Sequence, residues 1–175
     1  MSNISIEING DGNEVVFGAG AVVANVKIRM DGANHKLHIG ELCRVNGGEF
    51  VFSHEKGAIE IGKGTFINSA NLYCTESAPI HMGERCMLAW NIEIYSGDFH
   101  PIFDSKTNVR SNPAKAIHIG DHVWIGAHVQ VLKGVSIGEN SVIGTRSVVT
   151  RSIPGNCIAV GTPARIMKSN IYWKE

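Results

Sequence analysis

Nothing in the chain leans to one sign of charge. Sixteen Lys and Arg oppose sixteen Asp and Glu, and only 18% of residues are charged, below the roughly 25% usual for globular domains. A balanced chain exerts no general pull on nucleic acid or an anionic membrane, so any charge-dependent function must be local. Long apolar runs are missing as well: nothing approaches the roughly 20 apolar residues of a spanning helix. The opening MSNISIEINGDG has neither a basic flank nor an apolar stretch, so neither a secretory leader nor a membrane anchor is expected. Cysteine is sparse. Cys43, Cys74, Cys86 and Cys157 lie far apart without a Cys-x-x-Cys spacing. That argues against a zinc knuckle or thioredoxin-like site and for free thiols buried in a cytoplasmic protein. What remains, 43% hydrophobic residues over 175 positions, suffices for one sizeable core.

What is present in abundance is a beat of six. Ile119, Ile125, Val131, Ile137, Ile143 and Val149 are all β-branched, and glycine follows four of them, at Gly120, Gly126, Gly138 and Gly144. Upstream the beat recurs less strictly: Ile39-Gly40, Val45, Val51; Ile61-Gly62, Ile67, Tyr73; Met82-Gly83, Leu88, Ile94; and an earlier start at Phe17-Gly18. Six is neither the helical period of about 3.6 nor the strand period of 2. It is the period of a chain that turns a corner after each short strand, as in hexapeptide β-helices, where three hexads close one triangular coil. The aliphatic position then points inward onto its copy one coil away, about 4.8 Å off. Two residues earlier the chain carries Cys43, Thr65, Cys86, Val123, Val129, Val135, Ser141 and Ser147, small residues suited to a tight inner corner. The early coil starts are spaced by more than three hexads, so bulged corners or short loops are expected there. The predicted organisation is an all-β parallel β-helix over 1–162, interrupted by a loop at about 96–116. Thr162 as N-cap and Pro163 as first helical residue predict a short C-terminal helix or tail over 163–175.

Between Tyr95 and Gly120, in YSGDFHPIFDSKTNVRSNPAKAIHIG, the beat stops. A loop leaving a rigid scaffold commonly carries function. This one holds Asp98, His100, Pro101, Asp104, Lys106 and Arg110 and few aliphatic residues.

GDFHPI, followed by NPAKAIHIGDHVWIGAHVQVLKGVSIGENSVIGTRSVVTRSIPGNCIAVGTPARIMK, resembles the hexapeptide acyltransferases. The likeness is to galactoside and maltose acetyltransferases and, most of all, to sialic-acid and capsule O-acetyltransferases, which share a His-Pro loop and an HVWIG coil. It is strong over 94–168 and weaker over 1–93. The resemblance implies a left-handed coil, acetyl-CoA as co-substrate, a sugar hydroxyl as acceptor, a homotrimer with sites between subunits, and no metal. It makes His100 the general base: an imidazole can take the hydroxyl proton as the oxygen attacks the thioester and return it to the thiolate. Asp98, Glu93 or Asp104 would orient the ring, Asp98 first. Trp124 falls on the tryptophan beside the acetyl and pantetheine end. Gly126, Ala127, Gly144, Thr145 and Thr150 fall where the pantetheine arm lies, and Arg151, Arg165 and Lys168 where the 3′-phosphate needs cations. Asn71, or its neighbour Asn68, with Tyr95, Phe99 and Arg110, would line the acceptor side.

Two alternatives stay open. An N-acetyltransferase acting on an amino sugar could use the same base and groove. A gamma-type carbonic anhydrase shares the fold, and His81, His118 and His122 loosely resemble its zinc ligands. Metal analysis separates the classes: the zinc reading predicts stoichiometric zinc in the purified protein, the acetyltransferase reading none.

Overall fold

The computed structural model describes residues 1–174. It is a parallel β-solenoid of about seven coils, with no helix among the described residues. One wall consists of β2 (Glu14–Phe17), β4 (Lys36–Ile39), β7 (Ala58–Ile61), β10 (Ile80–Met82), β13 (Ile117–Ile119) and β16 (Ser136–Ile137). The second holds the start of β3 (Val22–Ala33), then β5 (Arg44–Val45), β8 (Phe66–Ile67), β11 (Met87–Leu88), β14 (Trp124–Ile125), β17 (Val142–Ile143) and β19 (Cys157–Gly161). The third holds β1 (Ser2–Asn9), the rest of β3, β6 (Gly48–Glu55), β9 (Ala70–Thr75), β12 (Ile92–Tyr95), β15 (Gln130–Val131) and β18 (Val148–Val149).

The six-residue beat is the core. On the first wall Phe17, Ile39, Ile61, Met82, Ile119 and Ile137 stand in register, coil upon coil. On the second, Val23, Val45, Ile67, Leu88, Ile125, Ile143 and Ala159 do the same. The eight small residues two positions earlier are all buried. Their polar atoms are satisfied across the coils: Thr65 Oγ1 donates to Gly83 O at 2.9 Å, and Ser141 Oγ to Pro154 O at 2.9 Å. Burial pushes the Cys74 thiol up to about 12 and the Cys86 thiol up to about 11, so both stay protonated and inert near neutrality.

The third wall departs from the expected phase. Its inward column is Ile28, Phe50, Leu72, Ile94, Val131 and Val149, so Phe50 and Leu72 replace the predicted Val51 and Tyr73. The corner before β6 is one residue tighter than a full hexad, and Gly48 makes it with φ +132°, where a Cβ would lie 1.9 Å from Ala70 O. The corner before β9 is shortened in the same way at Ala70, so Tyr73 turns outward, beside Tyr95. The extra residues of the early coils lengthen this wall: β6 and β9 add a second inward pair, Phe52 and Cys74. Buried His35 fills the adjoining corner, accepting from Gly57 N at Nδ1 (3.0 Å) and donating from Nε2 to Asp31 O (3.2 Å).

Corners are built on left-handed residues. Gly20, Leu42, Gly64, Arg85, His122, Asn140 and Asn156 form one column with φ between 51° and 70°. From Leu42 onward each donates its N–H to the preceding coil's corner, as His122 does to Glu84 O at 2.7 Å. These bonds offset the cost of about 1–2 kcal/mol that a non-glycine residue meets there.

The expected C-terminal helix is absent. Ala164–Ser169 is instead strand β20, antiparallel to β19. The last coil leaves β19 with an unpaired edge, and an antiparallel return satisfies it. The other end stays open: Ile6 and Ile8, in register with core residues Ile28 and Met30, remain exposed.

Ile125 is fully buried between Leu88 and Ile143. Ile125→Ala is expected to lower unfolding free energy by about 2–5 kcal/mol, and Ile125→Val by about 0.5–1.5 kcal/mol, read by denaturant titration.

Candidate active site

The loop leaves and re-enters the prism at one point. Ser96, fully buried, receives Lys115 N–H on its carbonyl at 2.8 Å and Thr75 N–H on its hydroxyl at 3.0 Å. Between these ends the chain makes a small hairpin, with Phe103 bridged to Arg110 and Asp104 Oδ1 accepting from the Lys106 and Thr107 amides at 2.9 and 2.8 Å.

His100 sits at a strained turn. Its N–H donates to Asp98 O at 2.7 Å across Phe99, whose φ is +62°. A γ-turn of that hand is rare and unfavourable, and such strain persists only where surrounding contacts over-determine it. Those contacts are aromatic. The Phe99 ring stands edge-on to Tyr73 (5.7 Å) and Tyr95 (6.4 Å), which stack at 4.8 Å and 3°. His100 O accepts from Asn112 Nδ2 at 2.9 Å. The backbone is therefore held while the imidazole stays exposed, with no hydrogen-bond partner at either ring nitrogen among the described residues.

None of the three carboxylates expected to orient His100 does so in this chain. Asp98 accepts from Lys133 Nζ and from Asn112 Nδ2 (2.8 Å). Glu93 accepts from Gln130 Nε2 at 2.6 Å, and Asp104 is spent on its own turn. Asp98 anchors the loop instead. Lys133 also reaches Asn112 O at 3.0 Å, and Arg110 ties Asn112 to Glu76, with 2.6 Å to the Glu76 carboxylate. Lys133, ahead of Asn112, holds the Asp98 carboxyl below the ordinary carboxylate range, and Arg110 does the same to Glu76.

Other predicted residues are spread over the prism. Trp124 points outward on the second wall, 42% exposed, between Met87 and Val142 of the neighbouring coils. It borders an apolar groove with Phe66, Met87 and Trp90. His100 and Trp124 thus belong to different walls and make no ring contact. Asn71 and Tyr95 lie on the third wall, below the loop. Asn71 Oδ1 accepts from Glu49 N at 3.0 Å, and burial and then nearby Glu93 push the Tyr95 hydroxyl up to about 12. Asn68, by contrast, borders the Trp124 groove.

Gly126, Ala127, Gly144 and Thr145 share the corner after the second wall. Their backbone groups are less available than expected: Gly126 and Gly144 N–H serve the coil ladder, and Ala127 O accepts from Arg146 N at 2.8 Å. A Cβ on Gly126 would lie 2.7 Å from Thr145 N, so coil stacking itself requires glycine there. Thr150 is exposed after β18. Arg151 and Arg165 both line one cleft of about 240 Å³ with Ser152 and Ala164, where Arg165 Nη1 donates to Ala164 O at 2.9 Å. Lys168 lies farther along β20, exposed opposite Ile158. The three histidines of the zinc alternative do not converge. His81 and His118 stack on the first wall, His81 paired with Glu60 at 2.9 Å, while His122 Nδ1 pairs with Asn140 Oδ1 at the next corner.

Residues 116–151 match the family model for the bacterial transferase hexapeptide (six repeats). A polysialic acid O-acetyltransferase from Neisseria meningitidis is 34% identical over 169 residues, 96% of this chain and 78% of that one. The solved structure of the polysialic acid O-acetyltransferase OatWY superposes with a TM-score of 0.89 at 31% identity, covering 100% of this chain and 92% of that one. The chain belongs to the hexapeptide-repeat O-acetyltransferases. A galactoside acetyltransferase in complex with coenzyme A is more distant, with a TM-score of 0.56 at 28% identity over 88% of this chain and 66% of that one. The chain spans only 37% to 54% of the length of other curated relatives it matches.

Lys133, Asn112 and Glu76, which anchor the loop of this family member, escaped the sequence reading. Nothing in spacing links them: Glu76 and Lys133 sit on different coils, and Asn112 lies in the loop itself. Tyr73 was legible in principle, one coil before Tyr95.

A depressed folded pKa stabilises the loop above the ordinary carboxyl value of about 4, and that contribution is lost as pH falls through the lower folded value. With the Asp98 side chain 44% exposed, the pair is worth about 0–1 kcal/mol. Lys133→Met is expected to move the Asp98 titration upward by NMR and to speed proteolysis within 96–116. An unmoved titration would remove Lys133 from the anchor.

Proposed function

We propose that this chain transfers the acetyl group of acetyl-CoA to a hydroxyl of a sialic-acid-containing surface polysaccharide or its precursor. The observation that carries the reading is the whole-length likeness to polysialic acid O-acetyltransferases, combined with an unpartnered histidine held out on a strained loop turn. His100 takes the hydroxyl proton as the sugar oxygen attacks the thioester carbonyl. The new C–O bond forms, the C–S bond breaks, and the proton passes from the imidazole to the leaving thiolate. No acyl-enzyme is formed, consistent with four buried cysteines.

Acetyl-CoA is placed along the second-wall corner, its thioester near Trp124 and its phosphates toward the Arg151–Arg165 cleft, with Lys168 beyond. The stacked Tyr73 and Tyr95, with Phe99 and Asn71, offer flat apolar and amide surface to a sugar ring. Because His100 and Trp124 occupy different walls, the reading pairs His100 of one subunit with Trp124 of a neighbour in a homotrimer. Buried unpaired thiols and a CoA donor support a cytoplasmic site of action.

An acceptor screen with acetyl-CoA tests the reaction. Thiol release with sialic-acid oligomers, and its loss by at least about a hundredfold in His100→Ala, is expected; near-normal turnover in the variant would overturn the mechanism. Preference for an amine acceptor would convert the reading to N-acetylation. Arg165→Ala is expected to raise the KM for acetyl-CoA with little change in kcat. An unchanged KM would remove Arg165 from the site.

A further inference from the structure

The end of the chain folds back over the prism. After β20, Ile171 N–H donates to Asn156 O at 3.0 Å, and Trp173 Nε1 donates to His122 O at 2.9 Å. Asn156, Asn140 and His122 are successive members of one left-handed corner column, so the tail straps three coils together. Trp173 lies flat on the His122 imidazole, 4.0 Å away and 3° from parallel. That imidazole is itself fixed through Nδ1 to Asn140 Oδ1 at 3.0 Å. The Trp173 ring also meets the Trp124 indole at 5.9 Å and 47°, within the range in which aromatic pairs attract.

Trp124 needs such a brace. On its wall it is flanked in register by Met87 and Val142, one flexible and one short. Such neighbours give an outward indole little rigid support along the wall itself. Trp173, by contrast, is held by its own N–H bond and by a flat stack, so it supplies that support from the corner side. No other part of the fold requires the tail to return here: the edge of β19 is already satisfied by β20.

We propose that Trp173 is a positioning residue, which holds the Trp124 indole in the orientation that receives the acyl donor. The inference rests on the assignment of Trp124 to the acetyl-CoA side. It makes the C-terminal strap part of the donor site although the strap need not touch the donor.

Steady-state kinetics with varied acetyl-CoA, alongside equilibrium binding of CoA and melting temperatures, test it on full-length variants. Trp173→Ala is expected to raise the KM for acetyl-CoA and weaken CoA binding by about two- to tenfold, with kcat nearly unchanged and the melting temperature lowered by the loss of one strap contact. Trp173→Phe, which keeps a flat ring but loses the N–H bond, is expected to recover part of the loss. Tyr172→Ala, an exposed neighbour, should behave as wild type. In a Trp124→Ala background, removing Trp173 should change nothing further. If Trp124→Ala raises KM but Trp173→Ala does not, or if the two effects simply add, the positioning role is overturned. If Trp124→Ala itself leaves KM unchanged, the donor-site assignment of Trp124 fails, and the inference with it. Should Trp173→Ala fail to fold, Trp173→Phe carries the test, and an unchanged KM in that variant overturns the proposal.

Discussion

Every inward side chain of this fold must sit on its copy one coil away, at the spacing of a backbone ladder about 4.8 Å wide. That single constraint dictates the rest. It selects Ile, Val and Leu for the stacked columns, as at Leu88, Ile125 and Ile143. It demands glycine where one coil's turn presses on the next, as at Gly126 over Thr145. It also places left-handed residues at the corners, each tied to the coil before. A prism so tightly specified inside leaves only two places for chemistry: outward positions on flat walls, and excursions between coils.

In the proposed function the chain uses both. His100 rides on the one long excursion, presented by a turn whose unfavourable Phe99 backbone is held against Tyr73 and Tyr95. The ion pairs from Asp98 to Lys133 and from Glu76 to Arg110 pin the excursion to rigid coils, so the histidine moves with the wall rather than as a free loop. Trp124 uses a flat wall, where a side chain lacks a surrounding pocket and must be braced by something else. The apolar groove of Phe66, Met87 and Trp90 provides one border, and the returning tail with Trp173 provides another.

The core was readable because one kind of residue is demanded at every sixth position from Ile119 to Val149. The loop was readable as the place where that demand stops. The third wall departs from the hexad count at Val51 and Tyr73 because two corners are shortened, at Gly48 and at its in-register partner Ala70, and a hexad count does not anticipate either. The tail was misread because Thr162-Pro163 is chemically a sound helix start; the unpaired edge of β19, invisible in the local sequence, decides for a strand. The partners of Asp98 were hidden for a related reason. Lys133 reaches it only once coils are stacked, and Asn112 only once the loop closes on itself; no local pattern announces either. The exposed His100 ring, left without a carboxylate partner in its own chain, is the same limit seen from the function side.

The proposed function divides the active pair, His100 and Trp124, between walls and completes it with a neighbouring subunit. Co-expression of His100→Ala and Trp124→Ala chains, differently tagged and purified as mixed oligomers, tests it directly. Assayed at acetyl-CoA well below the wild-type KM, each variant alone should be far slower than wild type. If each site takes His100 from one subunit and Trp124 from the next, every mixed ring of three keeps one intact site, so the purified mixed oligomers restore about a third of the wild-type rate. Mixed oligomers no more active than either variant alone would contradict the account.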